Sequence, residues 1–183
     1  MHPHPGSAKQ VTRRGVRLTR AGRGVQDSDV VAYSLAALAP DLVALMTASA
    51  PGSQSRTVAL YVSLPREPGT GPLRVRLAQL DHRVLLPWLQ EDRDLDWVVD
   101  DATGTATEGD PMRPPGPRLG PGTVGEVGLL LVPALAVDGA GTRLGQGGGS
   151  YDRALARLAV GTAGRGRPLV LAVVHDDELL PAG

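Results

Sequence analysis

The stretch from Val132 to Arg157, VPALAVDGAGTRLGQGGGSYDRALAR, constrains this chain more than any other part of it. The apolar run Leu129 to Ala136 leads in and reads as a buried strand. Gly139 to Gly149 is a glycine-dense loop, and Tyr151-Asp152-Arg153 opens a segment with Ala154, Leu155, Leu158 and Ala159 at helical spacing. Strand, glycine loop and helix start together make an anion pocket. Glycine lets the backbone come close to a ligand, and inward N–H groups add to the positive end of the helix. A flexible turn of the same composition is the alternative. The general nucleotide motifs fail: there is no Walker lysine, Gly145-x-Gly147-x-x ends on Ser150 where a dinucleotide fingerprint needs glycine, and Asp152 stands where a nucleophile elbow needs glycine.

The remaining chain supplies a frame for that stretch. Arg56 to Leu64, RTVALYVSL, reads as a strand and Pro65 to Thr70 as a turn. Leu73, Leu77 and Leu80 mark a helix, and Val84 to Pro87 a second strand. Such a βαβ unit implies a parallel sheet with a right-handed crossover, and the turn after its first strand lies at the ligand-binding carboxyl edge. Asp29 to Ala50 is helical in pattern and divided by Pro40, and Pro168 to Val174 reads as a fully buried strand. Thr103 to Gly122 is an irregular, proline-rich excursion packed on the domain. Trp88 and Trp97 read as core before they read as stacking platforms. His175-Asp176-Asp177-Glu178 reads as a helix-capping acidic turn before it reads as a metal site, since adjacent residues of an extended segment point opposite ways and cannot all converge on one ion.

At 183 residues the chain suits one α/β domain, expected over 9–183. Zero formal net charge argues against nucleic acid or an anionic membrane as partner. The absence of cysteine removes disulfides and thiol chemistry, and fits a cytoplasmic setting. No apolar run is long enough to span a bilayer. Residues 1–8, proline-punctuated and without an apolar signal core, are expected to form a disordered tail. In Lys9 to Gly24, Gly15, Gly22 and Gly24 weaken any helix, so a solvated basic arm is one reading. Lys9, the only lysine, and Arg13 nonetheless share one helical face at i, i+4 spacing.

Val132-Pro133-Ala134-Leu135-Ala136-Val137-Asp138 followed by Arg143-Leu144-Gly145-Gln146-Gly147-Gly148-Gly149-Ser150-Tyr151-Asp152 closely resembles the 5-formyltetrahydrofolate cyclo-ligase family, whose signature runs VPG/A-x-A-F/V-D and RLG-x-G-x-G-YYD. The resemblance implies a three-layer α/β/α fold with a mostly parallel sheet, like ribose-phosphate isomerase and the CoA transferases. It implies ATP as co-substrate, Mg²⁺ as cofactor, and reduced folate as the cyclised substrate, in a monomer. Lys9, Arg13 and Arg143 to Tyr151 would bind ATP. Tyr61, Val62, Glu67 and Gln146 to Ser150 would bind folate. Asp152 would hold the metal, and Arg143 and Tyr151 would act in catalysis. Read without the family, Glu67 is a solvated turn carboxylate, and Asp152 a helix-start residue that Arg153 neutralises.

Three departures accompany the match. Ser150 replaces the first tyrosine of YYD, the first helix is glycine-riddled, and the family's C-terminal segment, with one of two magnesium-associated aspartates, is expected to be missing. An active cyclo-ligase is the leading expectation. A truncated or degenerate relative that binds folate or nucleotide without turnover, and an unrelated phosphate-binding module, are the alternatives.

Overall fold

The computed structural model describes residues 5–50, 55–102, 109–161 and 167–182. A five-stranded sheet runs in the order β3-β2-β1-β4-β7, from β1 (Thr57–Ala59), β2 (Arg83–Leu89), β3 (Leu95–Val99), β4 (Leu129–Pro133) and β7 (Leu169–Val173). All neighbours are parallel except β2 and β3, which form an antiparallel hairpin. Side chains alternate along each strand between two cores. Val58, Val84, Leu86, Leu129 and Leu131 face one core, with Ala39, Leu42 and Met46 of α3 (Ala39–Ser49) and Leu73 and Leu77 of α4 (Gly71–Gln79). Ala59, Leu85, Leu130 and Val132 face the other, with Ala154 and Leu158 of α5 (Ser150–Gly161) and Val124 of a 3₁₀ turn, Pro121–Glu126. Helices therefore cover both faces, giving the three-layer α/β/α arrangement.

Several local expectations hold for physical reasons. Pro40, in the first turn of α3, cannot donate to the preceding turn, and α2 (Val25–Ala37) ends just before it. Trp97 is fully buried in the second core. Trp88 instead lies under two guanidiniums, Arg113 and Arg118 of the proline-rich excursion, 5.1 and 4.7 Å from its ring centre. Thr103 to Glu108 of that excursion lie outside the described residues. The rest packs on the domain, with Met112 C=O accepting from Leu89 N–H and Leu119 N–H donating to Trp97 C=O. Among the described residues no single helix is long and apolar enough to cross a membrane.

Four expectations change. The strand expected over Arg56–Leu64 keeps ladder pairing only at Thr57–Ala59, although Leu60, Tyr61 and Val62 stay buried. The apolar pattern marked burial and not pairing. β7 lies at a sheet edge, where Val170 is 40% exposed, so it is not buried on both faces. The glycine loop is interrupted. β5 (Ala136–Asp138) and β6 (Arg143–Leu144) form a hairpin whose turn is tied by Asp138 Oδ1, accepting from Ala140 and Thr142 N–H. β5 also pairs with β8 (Leu179–Leu180) in a second small sheet.

The fourth concerns the amino terminus. α1 (Pro5–Ala21) is a continuous helix through Gly15, taking in residues expected in the tail. Met1 to His4 lie outside the described residues. Glycine costs such a helix about 1 kcal/mol, but Gly22 and Gly24 fall beyond its end, and Arg13, Arg17 and Arg20 anchor one face to the domain. Tertiary anchoring outweighs intrinsic propensity here.

Candidate active site

The loop between β6 and α5 is built on backbone that glycine supplies. Gly147 and Gly149 have φ of +103° and +74°, on either side of Gly148. Alternating backbone hand of this kind turns successive N–H groups toward one side. The bonds fixing the loop to α1 use its carbonyls: Arg13 Nε donates to Gly145 C=O at 3.0 Å, and Arg17 Nη2 to Gln146 C=O at 3.2 Å. The loop N–H groups are therefore not consumed in holding it. Arginines crowd its glycines. A Cβ on Gly145 would lie 2.7 Å from Arg143 Nη1, and one on Gly149 3.6 Å from Arg153 Nη1.

Opposite the loop stands the segment after β1. Tyr61 donates its hydroxyl to Pro68 C=O at 2.7 Å, and Thr70 Oγ1 donates back to Tyr61 C=O at 2.7 Å. Glu67 folds under its own turn, accepting from Leu64 N–H at 3.0 Å, and is only 8% exposed. It is thus a buried carboxylate and not a solvated one. Burial raises its pKa above the ordinary glutamate value, against the opposing pull of Leu64 N–H, Arg20 and Gln146. Burial also pushes the phenols of Tyr61 and Tyr151 well up, so both hydroxyls keep their protons at neutral pH.

One cavity of about 290 Å³ joins the two sides. Tyr61, Val62 and Glu67 line it, as do Arg143, Gly145 to Gly149, Ser150, Tyr151 and Asp152. Pro87, Leu89, Leu95 and Met112 add apolar wall. Lys9, Arg13 and Leu144 do not line it. Lys9 is exposed on α1, Arg13 backs the loop through Gly145, and Leu144 C=O is engaged by Leu135 N–H. Asp152 pairs with Arg143 Nη2, not with Arg153, which reaches Asp92 C=O at 3.2 Å. Arg143 also donates to Pro133 C=O, so it spans the end of β4 and the start of α5. The Asp152 side chain is 72% exposed, free to meet a ligand at the cavity mouth.

A sequence profile of the 5-formyltetrahydrofolate cyclo-ligase family matches residues 6–182. The chain belongs to that family. It is 45% identical over 131 residues to a 5-formyltetrahydrofolate cyclo-ligase of Mycolicibacterium smegmatis, a match covering 68% of this chain and 64% of the relative's length. In fold it resembles a 5,10-methenyltetrahydrofolate synthetase of Aquifex aeolicus solved by NMR (TM-score 0.68, 21% identity, covering 96% of this chain and 81% of that one). It also resembles one of Mycoplasma pneumoniae (TM-score 0.64, 18% identity, 93% and 87%). The mostly parallel sheet clad by helices is thus the cyclo-ligase fold.

Beneath this cavity lies an ionic network not foreseen from the sequence. Arg20, 5% exposed, donates Nε and Nη2 to the two oxygens of Glu178 at 2.7 and 2.8 Å, and Nη2 to Ala134 C=O at 2.6 Å. Its Nη1 lies 3.7 Å from Glu67. Arg23 joins Glu178 at 2.9 Å. The expected acidic turn at His175 is a capped 3₁₀ turn, Asp176–Glu178, with His175 N–H donating to Glu178 at 3.0 Å. Its ring Nε2 meets Arg66 C=O at 3.3 Å. The available signal was spacing: Arg17 and Arg20 continue the helical stripe begun by Lys9 and Arg13.

Proposed function

We propose that the chain closes 5-formyltetrahydrofolate to 5,10-methenyltetrahydrofolate, using ATP and releasing ADP and phosphate. The observation behind this is the single cavity with Glu67 and Tyr61 on one wall and Arg143, the glycine loop and Asp152 on the other. Pterin and triphosphate would thus have adjoining places. The chemical obstacle is the formyl oxygen on N5, a very poor leaving group. Transfer of the γ-phosphoryl group to it forms an imidate-like phosphate. N10 then attacks the former formyl carbon and gives up its proton, and the oxygen departs within inorganic phosphate. Attack occurs inside one molecule, so the protein mainly positions groups and neutralises charge.

The loop N–H groups and Arg143 would bind the phosphates, with Lys9 and Arg13 deepening the positive field from α1. Glu67 would accept from the paired donors on the pterin edge, and Tyr151 would orient the folate at the reacting end. Asp152 would hold Mg²⁺, which when bound neutralises phosphate oxygens. One exposed carboxylate beside a phosphate loop suits an ion that takes one or two carboxylates and leaves its other positions to water and phosphate. One chain supplies every group named, so a monomer suffices.

Purified protein given Mg-ATP and 5-formyltetrahydrofolate should develop methenyl-folate absorbance with one ADP formed per turnover. Stabilisation by Mg-ATP without that absorbance would overturn cyclisation and favour a binding-only relative. The Glu67 assignment also predicts a pH profile. With its pKa raised above 4.5, the carboxylate loses its charge at a higher pH than an ordinary glutamate as the solution is acidified. The acid limb of kcat/KM for folate should therefore lie above pH 4.5, and Glu67→Gln should lower kcat/KM about tenfold or more and abolish that limb.

A further inference from the structure

Resting on the functional reading above, we propose that Arg93, in the turn between β2 and β3, is a phosphate-binding residue that grips the nucleotide beside Gly148 of the glycine loop. Arg93 lines the cavity, and its Nη1 lies 3.8 Å from the point where a Cβ on Gly148 would stand. The neighbouring arginines are all engaged. Arg13 holds Gly145 C=O, Arg143 holds Pro133 C=O and Asp152, and Arg153 holds Asp92 C=O. Among the described residues the Arg93 side chain has no hydrogen bond or ion pair. A guanidinium at the loop with five donors and no acceptor calls for an oxyanion, and phosphate matches its fork.

The backbone adds a second, independent observation. Arg93 has φ of +66°, in the left-handed region that glycine and asparagine favour and long side chains do not. The turn fixes that conformation through Gln90 N–H to Asp94 C=O at 2.9 Å and Arg93 N–H to Gln90 C=O at 3.0 Å. Such a position is ordinarily filled by a residue that relieves the strain. An arginine there is unfavourable for folding and gains its use only through what its side chain reaches. A residue with a merely structural role would show the opposite balance.

That contrast provides the test. In Arg93→Asn, the Kd for Mg-ATP by calorimetry should rise about tenfold, the KM for 5-formyltetrahydrofolate should stay as it was, and Tm should be unchanged or higher. Arg93→Lys, which keeps charge but loses the fork, should fall between. Unchanged Mg-ATP affinity in Arg93→Asn, with wild type binding normally, overturns this assignment alone. So does a loss confined to folate, which would make the anion a folate carboxylate, or a loss that simply follows a lowered Tm. Failure of the wild-type protein to bind Mg-ATP overturns the functional reading and this assignment with it.

Discussion

Glu178→Gln should destabilise the protein by about 3 kcal/mol, near the lower end for breaking a buried ion pair, and lower Tm by roughly 6–12 °C for a chain of this size. The substitution keeps the shape of the side chain and one acceptor oxygen, but turns the other into an amide donor and leaves Glu67, 3.7 Å away, as the carboxylate facing Arg20. The penalty is the desolvated charge left behind, not the attraction lost. Burial alone would raise the pKa of Glu178. The hydrogen bonds from Arg20, His175 N–H and Arg23, with the charge of Arg20, outweigh it and hold the pKa below the usual 4.5. A lowered carboxylate pKa gives stability that is present above the unfolded value and is lost as pH falls through the folded one. The gap in Tm between wild type and variant should therefore be widest at neutral pH and shrink as the solution is acidified below about 4.5. A gap independent of pH would mean that packing, and not the ion pair, carries the effect. Because the same arginine faces Glu67, the variant should also raise the KM for folate more than that for ATP.

How much of this was legible in the sequence depended on distance along the chain. The helix opening at Ser150 and the β1–α4–β2 unit could be read because each is set by residues close together: Leu73 and Leu77 on one helical face, Val84 to Leu86 in a strand. Topology put the turn that holds Glu67 at the carboxyl edge of the sheet, but its part in a site with the glycine loop came from the family resemblance, and one cavity does contain them. Arg20 and Glu178, however, are 158 residues apart. Nothing local to either announces the other, and an arginine on a basic helix looks like a solvated one. Gly15 was misleading for the same reason: propensity is local, while the anchors that hold α1 to the domain lie on the loop and at Glu178. The hairpin within the glycine stretch was obscured because Gly141 and Arg143, in its turn and second strand, were read as part of one loop from Gly139 to Gly149.

Asp152→Asn should lower kcat/KM for ATP by about two to three orders of magnitude, the scale seen when one electrostatic contact to a developing charge is removed, with little change in stability. The two halves of that expectation have separate causes. Asp152 is 72% exposed, and its pair with Arg143 is at the surface, where such pairs are worth about 0–1 kcal/mol. Asparagine also keeps the side-chain size at the first turn of α5. What it loses is a full negative charge beside the glycine loop, and with it the proposed hold on Mg²⁺. Raising Mg²⁺ should then restore part of the activity, since a weakened site fills at higher ion concentration. Arg143→Lys should behave differently. One ammonium does not reproduce the fork between Pro133 C=O and Asp152, so activity should fall and extra Mg²⁺ should not recover it. Wild-type turnover in Asp152→Asn at ordinary Mg²⁺ would remove this carboxylate from the metal site and leave Arg143 as its only partner.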